Sequence, residues 1–251
     1  IGKSIAAYER LLMPAQSRFD HFARELNRMQ TSNLLTVQEQ AGLKLFISDD
    51  SSQCLRCHNG PMLTNHDFQV TGIVNLGTSK NTGRIAGIEL ALQSPFNCRG
   101  IYSDTPHNCP ELTFAKRNSA ELKFAYKVPT LRNVAQTAPY MHNGSIGSLM
   151  AVLTYYNQAQ PQLELGISPR NNLAHYDLEP LRLMPHQLKQ LKAFLLTLSS
   201  PPAIENSWLQ PPVFKINTNK TTIKTTINKT INKTINKTIN GTVTKDRKAL
   251  L

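Results

Sequence analysis

Two of the chain's four cysteines stand in SSQCLRCHNGP, three residues apart and closed by a histidine. Cys54, Cys57 and His58 form the C-x-x-C-H pattern, whose chemistry is covalent haem attachment. Each thiol adds to one vinyl group as a thioether, and the adjacent imidazole becomes the proximal iron ligand. Other uses of such a pair are served less well. A structural zinc ion wants a second tight pair, whereas Cys98 and Cys109 have ten residues between them. A thioredoxin-like redox pair needs a strand, helix, strand setting, and none surrounds residues 54–57.

An iron held by His58 on one face is open on the other or closed by a second ligand. Candidates lie in PYMHNGSIGSLMAVLTYYN, residues 139–157: Met141 and His142 precede an expected helix, and Met150, Tyr155 and Tyr156 lie on it. A thioether favours Fe(II) and raises the potential, whereas a phenolate favours Fe(III). Each side chain also has a plainer use: gap filling for Met141, an amphipathic core position for Tyr156. The residue types leave that choice open.

The elements that must position these groups read as helices joined by long loops. Residues 3–13 place Ile5, Tyr8, Leu11 and Leu12 on one helical face. Thr36 and Glu39 form a capping box for a helix that leads through Leu43 and Phe46 into the cysteine motif. Gly144 to Asn157 carries a stripe of Leu149, Val152, Leu153 and Tyr156, and a last helix, Pro185 to Leu198, turns Leu188, Leu191, Leu195 and Leu198 inward. Residues 60–130 are rich in Gly, Asn, Pro and Ser with no long periodic segment, a length of loop expected to wrap a ligand.

The formal charge of +12 points to nucleic acid only until it is located. From Val213 onward eight lysines and Arg247 face a single acid, Asp246, so +8 of that charge lies in the last 39 residues. Pro201, Pro202, Pro211 and Pro212 mark the change of composition, and KTTINKTINKTINKTINGTVTK follows. Its β-branched and Asn-rich repeat is a poor helix former, and it has no aromatic residue to stack on a base. Residues 201–251 are therefore expected to be a linker and a low-complexity tail, disordered or weakly β, with no nucleic-acid partner. No stretch approaches the 18 or so apolar residues that cross a membrane. The chain starts at Ile1 without a leader, which suggests a trimmed chain or a fragment.

The series CLRCHNGPMLTN, TGR at 82–84, SPFNCRGIYSD, KVPTLRNVAQTAPYMHNGSIGSL and AFLLTLSS resembles, in that order, the C-terminal haem domain of bacterial di-haem cytochrome c peroxidases, particularly their MauG-like branch. The match runs over about residues 2–200. The resemblance implies a mainly α, cytochrome c-like domain over residues 1–200 with long loops wrapping the haem. In that family two haem domains are fused: an N-terminal haem reacts with hydrogen peroxide, and a six-coordinate C-terminal haem relays electrons. One C-x-x-C-H occurs here, so the peroxide-reactive half is expected to be missing.

The same resemblance implies one haem c on Cys54, Cys57 and His58, with Tyr156, fourteen residues after His142, as distal ligand and Met141 as the alternative. It implies a calcium ion on the main-chain carbonyls of Thr137 and Pro139, completed by an asparagine of the N-terminal domain. Arg132 would pair with a haem propionate or serve a structural ion pair. Cys98 and Cys109 would close a disulfide, which suits an oxidising periplasm. The function implied is an oxidoreductase that uses peroxide and draws on a redox protein or other electron donor. A mono-haem carrier without catalysis, or a degenerate remnant of a peroxidase, are the other readings.

Overall fold

The computed structural model describes residues 2–28, 31–73, 83–117, 122–158 and 178–211. The chain divides into two compact units, Ile1–Ile204 and Glu205–Leu251. Of the second, the described part holds a 3-10 turn, Asn206–Leu209. The INKT repeat lies outside the described residues.

The first unit is built on helices α1 (Gly2–Glu9), α2 (Arg18–Asn27), α3 (Val37–Ile47), α4 (Cys54–Cys57), α5 (Arg84–Gln93), α6 (Pro110–Thr113), α7 (Leu149–Gln158) and α8 (Pro185–Leu196). Strands β1 (Phe68–Gln69) and β2 (Tyr126–Lys127) pair antiparallel, joining the chain after the cysteine motif to the segment before Arg132. No helix among the described residues is long and apolar enough to cross a membrane.

Helix α3 starts where its capping box requires. The Thr36 hydroxyl accepts from the Glu39 amide, and the Glu39 carboxylate accepts from the Thr36 amide at 2.8 Å. Arg18 closes an ion pair on the same carboxylate. Helices α3 and α8 pack against each other and carry the core, in which Phe46, Leu188, Leu191, Phe194, Leu195 and Leu198 are buried. Phe194 meets the Phe19 ring edge-on at 5.3 Å and the Phe46 ring at 5.1 Å. Leu149 and Leu153 of α7 join that core, as the i, i+4 spacing requires.

The structure departs from the periodicity at several places, and α8 stops at Leu196, two residues short of Leu198. The first helix ends at Glu9, ahead of Pro14, and none of its residues is buried. Helix α7 begins at Leu149 rather than Gly144, because Gly144 adopts a positive φ of 67° and Tyr140 bridges back to Ile146 in a tight turn. Residues 60–130 are not loop throughout: RIAGIELALQ forms α5, which buries only Ile88 and so shows little periodicity. Cys98 and Cys109 are disulfide-bonded, with Cα atoms 5.5 Å apart.

Candidate functional site

Gln53, in the left-handed region at φ 56°, turns the chain into α4. The His58 amide donates to the Cys54 carbonyl at 2.9 Å, so both thiols and the imidazole stand on one helical turn. Cys54 and Cys57 are half-buried and not disulfide-bonded. Cys54 packs against the main core, and its burial pushes the thiol pKa up, keeping it protonated.

Nδ1 of His58 lies 3.1 Å from the Leu63 carbonyl. A carbonyl only accepts, so Nδ1 carries the proton and Nε2 keeps its lone pair, the form that binds a metal. Burial holds the imidazole below its ordinary pKa, against the opposing pull of the Leu63 and Pro129 carbonyls. The neutral ring is thus the form present near pH 7.

The loop that supplies the Leu63 carbonyl is strapped to residues 128–132. The Thr64 hydroxyl donates to the Val128 carbonyl at 2.7 Å, and the Thr130 hydroxyl donates to the Met62 carbonyl. Arg132 donates to the Pro61 carbonyl from Nε at 2.8 Å and from Nη2 at 2.6 Å. The same guanidinium grips both carboxylate oxygens of Asp20, at 2.7 and 2.8 Å. Arg132 therefore makes the structural ion pair, one of its two expected roles, with its donors directed at Asp20 and Pro61.

Asp20 also accepts from the amide and the hydroxyl of Ser17, both at 2.7 Å. Burial alone would raise its pKa, but the Arg132 and Ser17 hydrogen bonds outweigh that and lower it from 3.8 to about 2. A depressed folded pKa stabilises the fold above the unfolded value and is lost as pH falls through the folded one. The stability gap between wild type and Asp20→Asn, about 1 kcal/mol at neutral pH once solvent screening is allowed for, is therefore expected to close between about pH 4 and about pH 2. Urea melts across that range measure it, and a gap independent of pH would show that the carboxylate charge does not matter.

The remaining candidates fall on α7 and the segment before it. Leu149, Leu153 and Met150 of α7 lie in the same apolar cluster as Leu63 and Cys54. Tyr156 is half-buried, edge-on to the Tyr155 ring at 5.7 Å. The Tyr155 hydroxyl donates to the Thr71 carbonyl at 2.6 Å. Met141 sits in the turn at φ 69°, and the His142 ring stacks on Tyr126 at 3.5 Å. Thr137 and Pro139 are exposed just after a 3-10 turn, Val134–Gln136. Two carbonyls are a fraction of the roughly six to eight oxygens calcium takes, so these residues alone do not make that site.

The donor set does fit a c-type haem: two thiols on one turn, and an adjacent neutral imidazole whose tautomer is fixed. Sequence reading passed over Asp20, Thr64 and Thr130. Asp20 signals only a Ser-x-x-Asp cap, and its partner Arg132 is 112 residues away, beyond the reach of any local pattern.

A family model described as RoxA-like, cytochrome c-like matches residues 125–161. The chain is 29% identical over 201 residues to the cytochrome-c peroxidase IdrP2 of Denitromonas iodatirespirans, covering 79% of this chain and 48% of that protein. It is 24% identical over 203 residues to the methylamine utilization protein MauG of Methylorubrum extorquens, covering 81% and 45%. The chain thus spans about half the length of these relatives. Among solved structures, the diheme peroxidase BthA of Burkholderia thailandensis is 20% identical with a TM-score of 0.45, over 74% of this chain and 46% of that one. Over about four fifths of its length the chain is thus similar in sequence to bacterial cytochrome-c peroxidases and MauG proteins, and it carries a C-x-x-C-H turn.

Proposed function

We propose that residues 1–200 are a c-type haem domain that relays electrons to or from a peroxide-reactive haem in a further, N-terminal domain of a periplasmic oxidoreductase. The observation that carries this reading is the turn of Cys54, Cys57 and His58, with Nδ1 of His58 committed to the Leu63 carbonyl. A bound haem would supply one-electron Fe(III)/Fe(II) exchange. The two thiols would fix it to α4, and His58 would present Nε2 to the iron. Hydrogen peroxide would be the oxidant of the intact protein, and a redox protein the electron donor. Any calcium at Thr137 and Pro139 needs oxygens from elsewhere.

The test is the pyridine haemochrome spectrum of protein matured in a periplasm competent for c-haem attachment, with haem counted per chain. One covalent haem supports the reading; a folded chain without haem ends it. The single C-x-x-C-H of this sequence favours one second reading, a mono-haem carrier. Peroxide turnover, assayed with and without a di-haem relative's N-terminal domain, separates the two: turnover only with that domain supports the relay, and none in either case supports the carrier.

Tyr156, half-buried on the helix whose Leu149 and Leu153 share an apolar cluster with Cys54, is the proposed distal ligand, with Met141 as the alternative. Changing Tyr156 to Phe removes the phenolate oxygen and leaves the ring. The variant is expected to lose the six-coordinate low-spin absorption spectrum and turn high-spin. An unchanged spectrum would move the assignment to Met141.

A further inference from the structure

We propose that Arg132, braced by Asp20, is a positioning residue that sets the hydrogen bond of His58 and through it the redox potential at that ligand. The inference rests on the haem reading above. It begins with a backbone that does not hold itself. Leu63 is buried and lies at a positive φ of 51°, a conformation that a bulky residue keeps only when its surroundings impose it. Its carbonyl accepts from Nδ1 of His58, and the imidazole's other carbonyl contact, Pro129, lies on the segment that straps the loop.

The surroundings that impose it come mostly from residues 128–132. Arg132 holds Pro61, two residues before Leu63, by two hydrogen bonds to one carbonyl, and Thr130 holds Met62. Thr64, one residue after, is tied to Val128. Within the loop, the Leu63 amide donates to Gly60 at 3.0 Å and the Thr64 amide to Asn59 at 2.8 Å. Arg132 is itself fixed, because Asp20 takes both ends of its fork while capping α2. A continuous line of bonds thus runs from the start of α2 through Asp20, Arg132 and Pro61 to the Leu63 carbonyl and the imidazole.

The direction of the effect follows from the chemistry of the ligand. A firm Nδ1–H hydrogen bond gives imidazole more imidazolate character, which favours Fe(III) and lowers the potential. Loosening the loop weakens that bond and raises the potential. Arg132→Lys keeps the charge but loses the fork, since an ammonium cannot match the planar double contact to Asp20 and Pro61. Thr130→Val removes one hydroxyl hold, also without changing charge. A shift in either variant therefore does not come from a change in net charge.

The experiment is a spectroelectrochemical titration of the haem-loaded chain. Arg132→Lys is expected to raise the Fe(II)/Fe(III) ratio at a fixed electrode potential about tenfold, a midpoint about 59 mV higher. Thr130→Val is expected to move it the same way by less. Thermal melting is recorded alongside. Variants that melt earlier with an unmoved midpoint would make Arg132 a stability residue only and overturn the proposal. If Arg132→Lys fails to mature, Thr130→Val decides alone: a rise supports the proposal and no rise overturns it. Wild type without covalent haem would end the haem reading and this inference together; haem-loaded wild type with unmoved variants ends only this one.

Discussion

Protein carrying Cys54→Ala and Cys57→Ala together is expected to emerge from a c-haem-competent periplasm with no haem that survives acid extraction, against one per chain in wild type. The expectation rests on the geometry of a single turn. Thioether formation needs a thiol, and α4 places both thiols beside the imidazole that would take the iron. The two other cysteines offer no substitute, because Cys98 and Cys109 are bonded to each other. Each single variant would leave one thioether and shift the haemochrome band toward that of a haem retaining one vinyl group. Loss of fold does not account for the result in advance: both cysteines are only half-buried, and trimming one to Ala at the edge of a core costs on the order of 1 kcal/mol. Circular dichroism of the double variant checks that point. Covalent haem persisting in the double variant would place the attachment elsewhere and sink the site.

What the sequence made legible has a physical pattern. The motif at 54–58 was readable because its partners are neighbours in the chain, and the cap at Thr36 and Glu39 for the same reason. The inward stripe of Leu188, Leu191 and Leu195 is readable because one helix buries all three at helical spacing, and Leu198, two residues past its end, is buried with them. Helix α5 escaped notice because it buries Ile88 alone, so hydrophobic spacing carries almost no signal there. The early start assigned to the helix after Gly144 failed because a turn at Met141 and Gly144 takes those residues out of helical geometry. The Asp20–Arg132 clamp was out of reach for a different reason. A salt bridge between distant residues leaves no period in the sequence, and only packing brings Asp20 to Arg132. Supporting contacts of a site are in general the part that only the fold reveals.

Gly42→Ala is expected to cost about 3 kcal/mol of stability or more, at the top of the usual range for an added methyl in a packed interior. A Cβ at Gly42 would lie 2.0 Å from the Gln190 carbonyl oxygen, 2.6 Å from its carbon and 2.9 Å from Cβ of Phe194. The first two are backbone atoms of α8 and cannot swing aside, so α3 and α8 would have to separate. Their contact is the core itself: Phe194 is fully buried between the Phe19 and Phe46 rings, and moving it opens gaps on both sides. The better helix propensity of Ala over Gly returns only about 1 kcal/mol. The damage is expected to reach the motif, because buried Ser52, two residues before Cys54, hangs on α3 through its hydroxyl bond to the Leu45 carbonyl. Covalent haem yield should therefore fall together with the urea midpoint. Gly87→Ala is the matched control, since Gly87 lies on α5 with nothing within 4 Å of an added Cβ, and it should be neutral or slightly stabilising. If Gly42→Ala melts where Gly87→Ala does, the two helices do not approach at Gly42, and the packing that carries α3 into the cysteine turn is not the one described.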